Sequence, residues 1–100
     1  MKLALTDPLL GLCESTAQLL KALGHPQRLQ ILCHLAGGEK TVGELERLCD
    51  ASQSAVSQFL TRMKTEGLLA SRRDERFVRY RIADPKILRL IRALRKIFCP

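Results

Sequence analysis

Residues 41–82, TVGELERLCDASQSAVSQFLTRMKTEGLLASRRDERFVRYRI, decide the fold of this chain. They divide into a short helix, a tight turn, a second helix with a polar face, and a basic β-hairpin. A helix-turn-helix followed at once by a hairpin fits its second helix to the DNA major groove, with the hairpin as a flanking wing. Two helices joined by a short turn also occur in structural bundles. The hairpin with arginines at its tip separates the two readings.

Thr41-Val42-Gly43-Glu44 has the form of a capping box, in which the threonine oxygen and the glutamate each satisfy an orphan backbone amide. Leu45 and Leu48 anchor the short helix that it opens. After Cys49-Asp50-Ala51, Ser52 can cap the next helix, which runs to Glu66 and stops at Gly67. On that helix Val56, Leu60 and Met63 form an apolar stripe, whereas Ser54, Ser57, Gln58 and Thr61 form a polar one. A merely solvated face usually carries Lys and Glu; short hydroxyls and an amide suit close approach to base edges and phosphates. The candidate DNA contacts are Ser52, Gln53, Ser54, Ser57, Gln58, Thr61 and Arg62 on the helix, with Arg73, Arg76 and Arg79 on the wing. In the second wing strand Val78, Tyr80 and Ile82 alternate with Phe77, Arg79 and Arg81, which predicts one packed and one cationic face. Asp74-Glu75-Arg76 forms the tip.

Outside this unit, Asp7-Pro8 reads as a cap followed by proline at the first helical position. The helix it opens carries Leu9, Leu10, Cys13, Ala17, Leu20 and Leu23 and ends at Gly24. His25-Pro26 starts a second helix through Leu29, Ile31, Leu32, Cys33 and Leu35, closed by Gly37-Gly38. Asp84-Pro85 starts the last helix, with Ile87, Leu88, Leu90, Ile91, Leu94, Ile97 and Phe98. So broad an apolar face on a terminal helix fits either the core of one protomer or pairing with a second subunit, and the twofold logic of DNA sites favours pairing. Ile87, Leu90, Ile91 and Leu94 would meet Leu10, Ala17 and Leu20 in a homodimer.

Residues 1–100 are expected to form one domain with a modest core. A hydrophobic fraction of 46% fits a globular chain. No apolar run approaches the ~18–20 residues of a membrane span, and MKLALTDPLLGL makes a poor signal peptide, so a cytoplasmic location is expected. The net charge of +7 implies an anionic partner. Its placement on the wing and on Arg89, Arg92, Arg95 and Lys96 of the last helix says more than its size. Cys13, Cys33, Cys49 and Cys99 are widely spaced, without a CxxC or a Cys/His cluster, so neither a structural zinc site nor a static disulfide framework is expected. They are packing thiols or a sparse sensing set.

The chain resembles the ArsR/SmtB family of bacterial winged-helix repressors over roughly residues 16–99. KALGHPQRLQILCHL, VGEL, ASQSAVSQFLTRMKTEGLL and RRDERFVRYRI carry the resemblance. It implies four helices, a two-stranded wing and a fifth helix, assembled as a homodimer through the first and last helices. It also implies binding to an inverted-repeat operator that an inducer releases. The family's thiolate metal motif in the third helix is absent, since that stretch reads Gly43-Glu44-Leu45-Glu46-Arg47-Leu48. Its Asp/His site on the last helix is absent too, so no metal cofactor is expected. Cys33 and Cys99 look like the dithiol of the BigR-like subgroup, which senses reactive sulfur or oxidants. Arg95 and Lys96 beside Cys99 mark it as the attacking thiol, and the apolar neighbours of Cys33 mark that residue as the resolving one. Phe59 falls where members often carry histidine and leaves operator preference open.

Two other readings compete with the thiol-switched repressor. One is a repressor that senses a soft ion such as arsenite through Cys13, Cys33 and Cys99. The other is a small thiol oxidoreductase, for which no CxxC, Ser/His/Asp set or phosphate loop speaks. A non-specific nucleic-acid protein would satisfy the charge but not the polar stripe.

Overall fold

The computed structural model describes residues 8–99. Their order is α1 (Pro8–Leu23), α2 (Pro26–Leu35), β1 (Lys40–Thr41), α3 (Val42–Leu48), α4 (Gln53–Thr65), β2 (Leu69–Asp74), β3 (Phe77–Ile82) and α5 (Pro85–Phe98). This is a winged helix-turn-helix with one strand more than the hairpin expected. β1 pairs antiparallel with β3, Lys40 opposite Tyr80 and Thr41 opposite Arg79, which gives the sheet order β1-β3-β2. So short a strand carries no alternating pattern, and only its partner reveals it. The wing turn is tight: Asp74 faces Phe77 across Glu75-Arg76.

Local chemistry sets the helix boundaries. His25 Nδ1 accepts the Gln27 N–H at 3.2 Å, immediately before α2. Thr41 Oγ1 accepts the Glu44 N–H at 3.2 Å, and a Glu44 carboxylate oxygen accepts the Thr41 N–H at 3.1 Å, completing the capping box. Ser52 Oγ caps α4 through the Ala55 N–H, and Asp84 caps α5 through the Lys86 N–H. Gly67, with φ of 82°, turns the chain out of α4 through the left-handed region that a side chain disfavours. The expected Asp7 cap lies outside the described residues.

The core lies where α2, α3, α4 and α5 converge. Ile31, Leu32, Leu45, Val56, Leu60, Met63 and Ile91 are its fully buried large side chains, and each contributes roughly 1.5–3 kcal/mol on burial. Val56, Leu60 and Met63 are the apolar stripe read from the sequence. Ile87 and Ile91 correct an expectation: both are buried within the protomer, so they are not available to a second subunit. Leu90 and Leu94 pack half-buried at the edge of this core. Val78 is a second correction. Tyr80 and Ile82 pack against the core, but Val78 is exposed because β3 runs past the core toward the wing tip.

Much apolar surface stays uncovered. Leu9, Leu12 and Leu20 of α1 are 53–61% exposed, and Ile97 and Phe98 of α5 are 70% and 77% exposed. Leu23 is the buried residue of α1, and Leu19 packs half-buried against the same core. The radius of gyration is 15.5 Å, above the ~13 Å of a compact domain of this size.

Arg28 is the one buried charged residue among those described. Its guanidinium donates to both carboxylate oxygens of Glu66 at 3.0 and 3.2 Å and to the Ala22 carbonyl at 3.3 Å. The end of α1, the start of α2 and the C-terminal cap of α4 are thereby held at one point. Arg28→Met should keep the side-chain volume but lose these bonds, lowering stability by about 1–3 kcal/mol. Urea denaturation checks this; wild-type stability in the variant would show that the bonds only offset the cost of desolvating the charge.

Candidate functional site

The polar stripe of α4 faces outward because Val56, Leu60 and Met63 bury the opposite side. Gln53, Ser54, Gln58, Thr61 and Arg62 are exposed, and Ser57 is half-buried. Ser52 keeps its hydroxyl on the Ala55 amide, so it serves the helix as a cap before it serves anything else. Phe59 flanks the stripe half-buried, with the His25 ring 5.0 Å away at 52°. The residue that leaves operator preference open is thus also part of the α2–α4 contact.

The wing cations fall into two groups. Arg72 is bound to Glu39 at 2.8 Å, and Arg79 to Asp74 at 2.8 Å and Glu44 at 3.6 Å. The Arg72 hydrogen bond holds the Glu39 carboxyl below its ordinary range, and the Arg79 hydrogen bond does the same for Asp74. The Thr41 amide, then its hydroxyl, holds Glu44 down, with Arg79 adding to the effect. Arg79 was expected to contact DNA; its charge is already shared between two carboxylates, and it braces β3 against the start of α3. Arg73 and Arg76 near the tip and Arg81 farther along β3 are exposed and make no ion pair among the described residues. The Arg76 guanidinium lies 5.7 Å from the centre of the Phe77 ring, a cation–π contact at the wing tip. Lys64 Nζ to Ser71 Oγ, at 2.7 Å, joins α4 to the wing. The helix face and the unpaired arginines of the wing therefore belong to one braced unit.

The thiols are distributed unevenly. All four are free. Cys49 is buried in the turn between α3 and α4, and burial pushes its thiol up, as befits a packing residue. Cys13 is exposed on α1. Cys33, half-buried at the end of α2, and Cys99, exposed at the end of α5, lie close enough to influence each other, with the Arg95 side chain bonded to the Cys33 backbone. Arg95 Nη1 donates to the Cys33 carbonyl at 3.3 Å, and the Arg95 carbonyl accepts the Cys99 N–H at 2.8 Å. Burial raises the Cys33 thiol above its ordinary range; Arg95 pulls it down, and Cys99 pushes it up. Among the described residues no group of three or more His, Cys, Asp or Glu side chains could hold a metal ion, and Cys13, Cys33 and Cys99 form none within the protomer.

Sequence reading missed the pairs Arg28–Glu66, Glu39–Arg72 and Glu44–Arg79, and the Arg95 bond to Cys33. They join residues distant in sequence, so no local pattern announces them. An arginine on the same helix as the apolar residues Leu29, Ile31, Leu32 and Leu35 was the one available signal.

Comparison with known proteins fits this geometry. The family described as "Bacterial regulatory protein, arsR family" matches residues 25–71, from the α2 cap into β2. The HTH-type transcriptional regulator YgaV of Escherichia coli is 46% identical over 88 residues, 87% of this chain and 89% of the relative. The biofilm growth-associated repressor of Agrobacterium fabrum is 47% identical over 83 residues, 83% of this chain and 71% of the relative. The crystal structure of the transcriptional repressor BigR from Xylella fastidiosa superposes with a TM-score of 0.84 at 35% identity, covering 97% of this chain and 99% of that one. These relatives are transcription factors, which sets aside the thiol-enzyme reading. The chain belongs to the arsR family of bacterial regulatory proteins and is a winged helix-turn-helix regulator rather than an enzyme.

Proposed function

We propose that this protein is a homodimeric transcriptional repressor that binds an inverted-repeat operator when reduced and leaves it when Cys33 and Cys99 become linked. The observation that carries the switch is the Arg95 side chain of α5 bonded to the Cys33 carbonyl of α2, one helical turn from Cys99. The names of relatives support the repressor part of the reading. The uncovered apolar faces of α1 and α5 support the dimer, with Leu9, Leu12, Leu20 and Ile97 as its core and Leu90 and Leu94 at its edge.

α4 enters the major groove. Gln53, Ser54, Ser57 and Gln58 read base edges, Thr61 and Arg62 meet the backbone, and Arg73 and Arg76 take phosphate or minor groove. Cys99, exposed, takes the first hit from an oxidant or sulfane-sulfur donor; Cys33 then closes a disulfide or sulfur-inserted bridge. A disulfide brings the two Cβ atoms to ~4 Å. α2 carries Cys33 at one end and Arg28 at the other. A pull on α2 therefore reaches Glu66 at the end of α4. Two copies of α4 must match successive major grooves about 34 Å apart, so a tilt that costs even ~3 kcal/mol lowers affinity more than a hundredfold.

The switch predicts that Cys33→Ser and Cys99→Ser each bind operator as the reduced wild type does and stay bound under polysulfide. Normal release of either variant would transfer the role to Cys13 or Cys49. Gln58→Ala should weaken operator binding by about 1–3 kcal/mol and leave random duplex nearly unaffected. Arg76→Ala should weaken both and flatten the salt dependence; the same pattern in both variants would refute this division of labour. Because burial keeps the Cys33 thiol protonated, bridge closure should quicken with pH and keep rising beyond the ~8.5 of an ordinary thiol. Arg95→Gln should move that profile to still higher pH. Stopped-flow loss of thiol across a pH series reads it, and a profile that levels off near neutrality would contradict it.

A further inference from the structure

The last turns of α5 carry a feature that DNA reading and dimer formation leave unused. Arg92, Arg95, Lys96 and Cys99 follow the spacing i, i+3, i+4, i+7, which stacks them on one helix face, and together they line one shallow depression. Leu90, Ala93 and Ile97 fall on another side of the helix, so an apolar α5 interface does not need this face. All four residues are exposed, and Arg92, Arg95 and Lys96 have no carboxylate partner within 4.0 Å among the described residues. PKILRLIRALRKIF contains no acidic residue at all. A merely solvated face would mix in Asp or Glu, as the wing does with Asp74 and Glu75. Cations at a helix C-terminus also complement the helix dipole, but that role needs no thiol among them.

We propose that this face is an anion-binding site that delivers negatively charged sulfur donors to Cys99, so that inducer choice is made by charge. The proposal rests on the thiol-switch reading and names its ligand class: compounds with a reactive S–S bond and an anionic group a few atoms away. Tetrathionate serves as the probe. The Cys99 thiolate attacks the inner sulfur of tetrathionate, forming Cys99–S–S–SO3⁻ and expelling thiosulfate. The Cys33 thiolate then attacks the Cys99 sulfur, forming the Cys33–Cys99 disulfide and expelling a second thiosulfate. Two thiolates are oxidised, one tetrathionate is reduced to two thiosulfates, and the thiol protons go to solvent.

The experiment follows Cys99 modification by mass spectrometry in the full chain, wild type against the double variant R92Q/K96Q, and operator release in parallel. Arg95 stays, since it holds the Cys33 carbonyl. Dianionic tetrathionate, uncharged bis(2-hydroxyethyl) disulfide and dicationic cystamine form a charge series. The double variant should react about tenfold more slowly with tetrathionate, within twofold of wild type with the uncharged disulfide, and faster with cystamine. High salt should slow tetrathionate on wild type alone. Equal slowing with all three probes would mean that the cations only activate the thiol, and unchanged tetrathionate rates would mean that they do nothing; either overturns the proposal. If the charge order holds but the bridged protein keeps its operator, the anion site stands and the switch reading fails.

Discussion

A single buried guanidinium holds the three helices that matter in register. Arg28 sits in the core edge with both Glu66 carboxylate oxygens and the Ala22 carbonyl as partners. A buried charge is costly to desolvate and is tolerated when its hydrogen bonds are made. Here the bonds reach the end of α1, the start of α2 and the cap of α4. The direction of α4, and with it the outward face of Gln53, Ser54 and Gln58, depends on that junction as much as on the apolar stripe beneath. The junction is geometric where the stripe is not: Val56, Leu60 and Met63 fix which side of α4 is buried, whereas bidentate bonds fix where its end points.

α2 consequently joins α5 to the end of α4 by direct bonds at its two ends. Its apolar residues Ile31, Leu32 and Leu35 pack in the centre of the core. Arg28 links its first turn to α4, and Cys33 near its last turn is held by Arg95 of α5. The wing is braced separately: β1 pairs with β3, and Glu39 and Glu44 bind Arg72 and Arg79, leaving Arg73 and Arg76 as its unpaired cations near the tip. Rigid bracing suits a DNA-binding wing, because the entropy of ordering its side chains is lost on folding rather than on binding.

Much of this was legible in the residues. The capping box at Thr41 and Glu44, the Ser52 and Asp84 caps and the stop at Gly67 are local signals, and each stands where its chemistry requires. The unread part is tertiary. Periodicity shows that Ile87 and Ile91 are apolar without telling whether the protomer or a partner covers them; here they are buried within the protomer, where α5 packs against α2 and β3. Alternation along β3 cannot say where the core ends beneath Val78. The charge of Arg79 points to an anion without saying that the anions are Asp74 and Glu44. Lys40–Thr41 becomes a strand only because β3 lies beside it.

If bonding between Cys33 and Cys99 re-aims α4 through α2, the distance between the two copies of α4 in the proposed dimer must change. Pulsed electron–electron double resonance with a non-cysteine spin label at Gln53 measures that distance. The reduced protein should give a narrow distribution compatible with half-sites about 34 Å apart. The bridged protein should shift by several ångströms, and Arg28→Met should blunt that shift. An identical distribution in the reduced and bridged proteins would contradict the account.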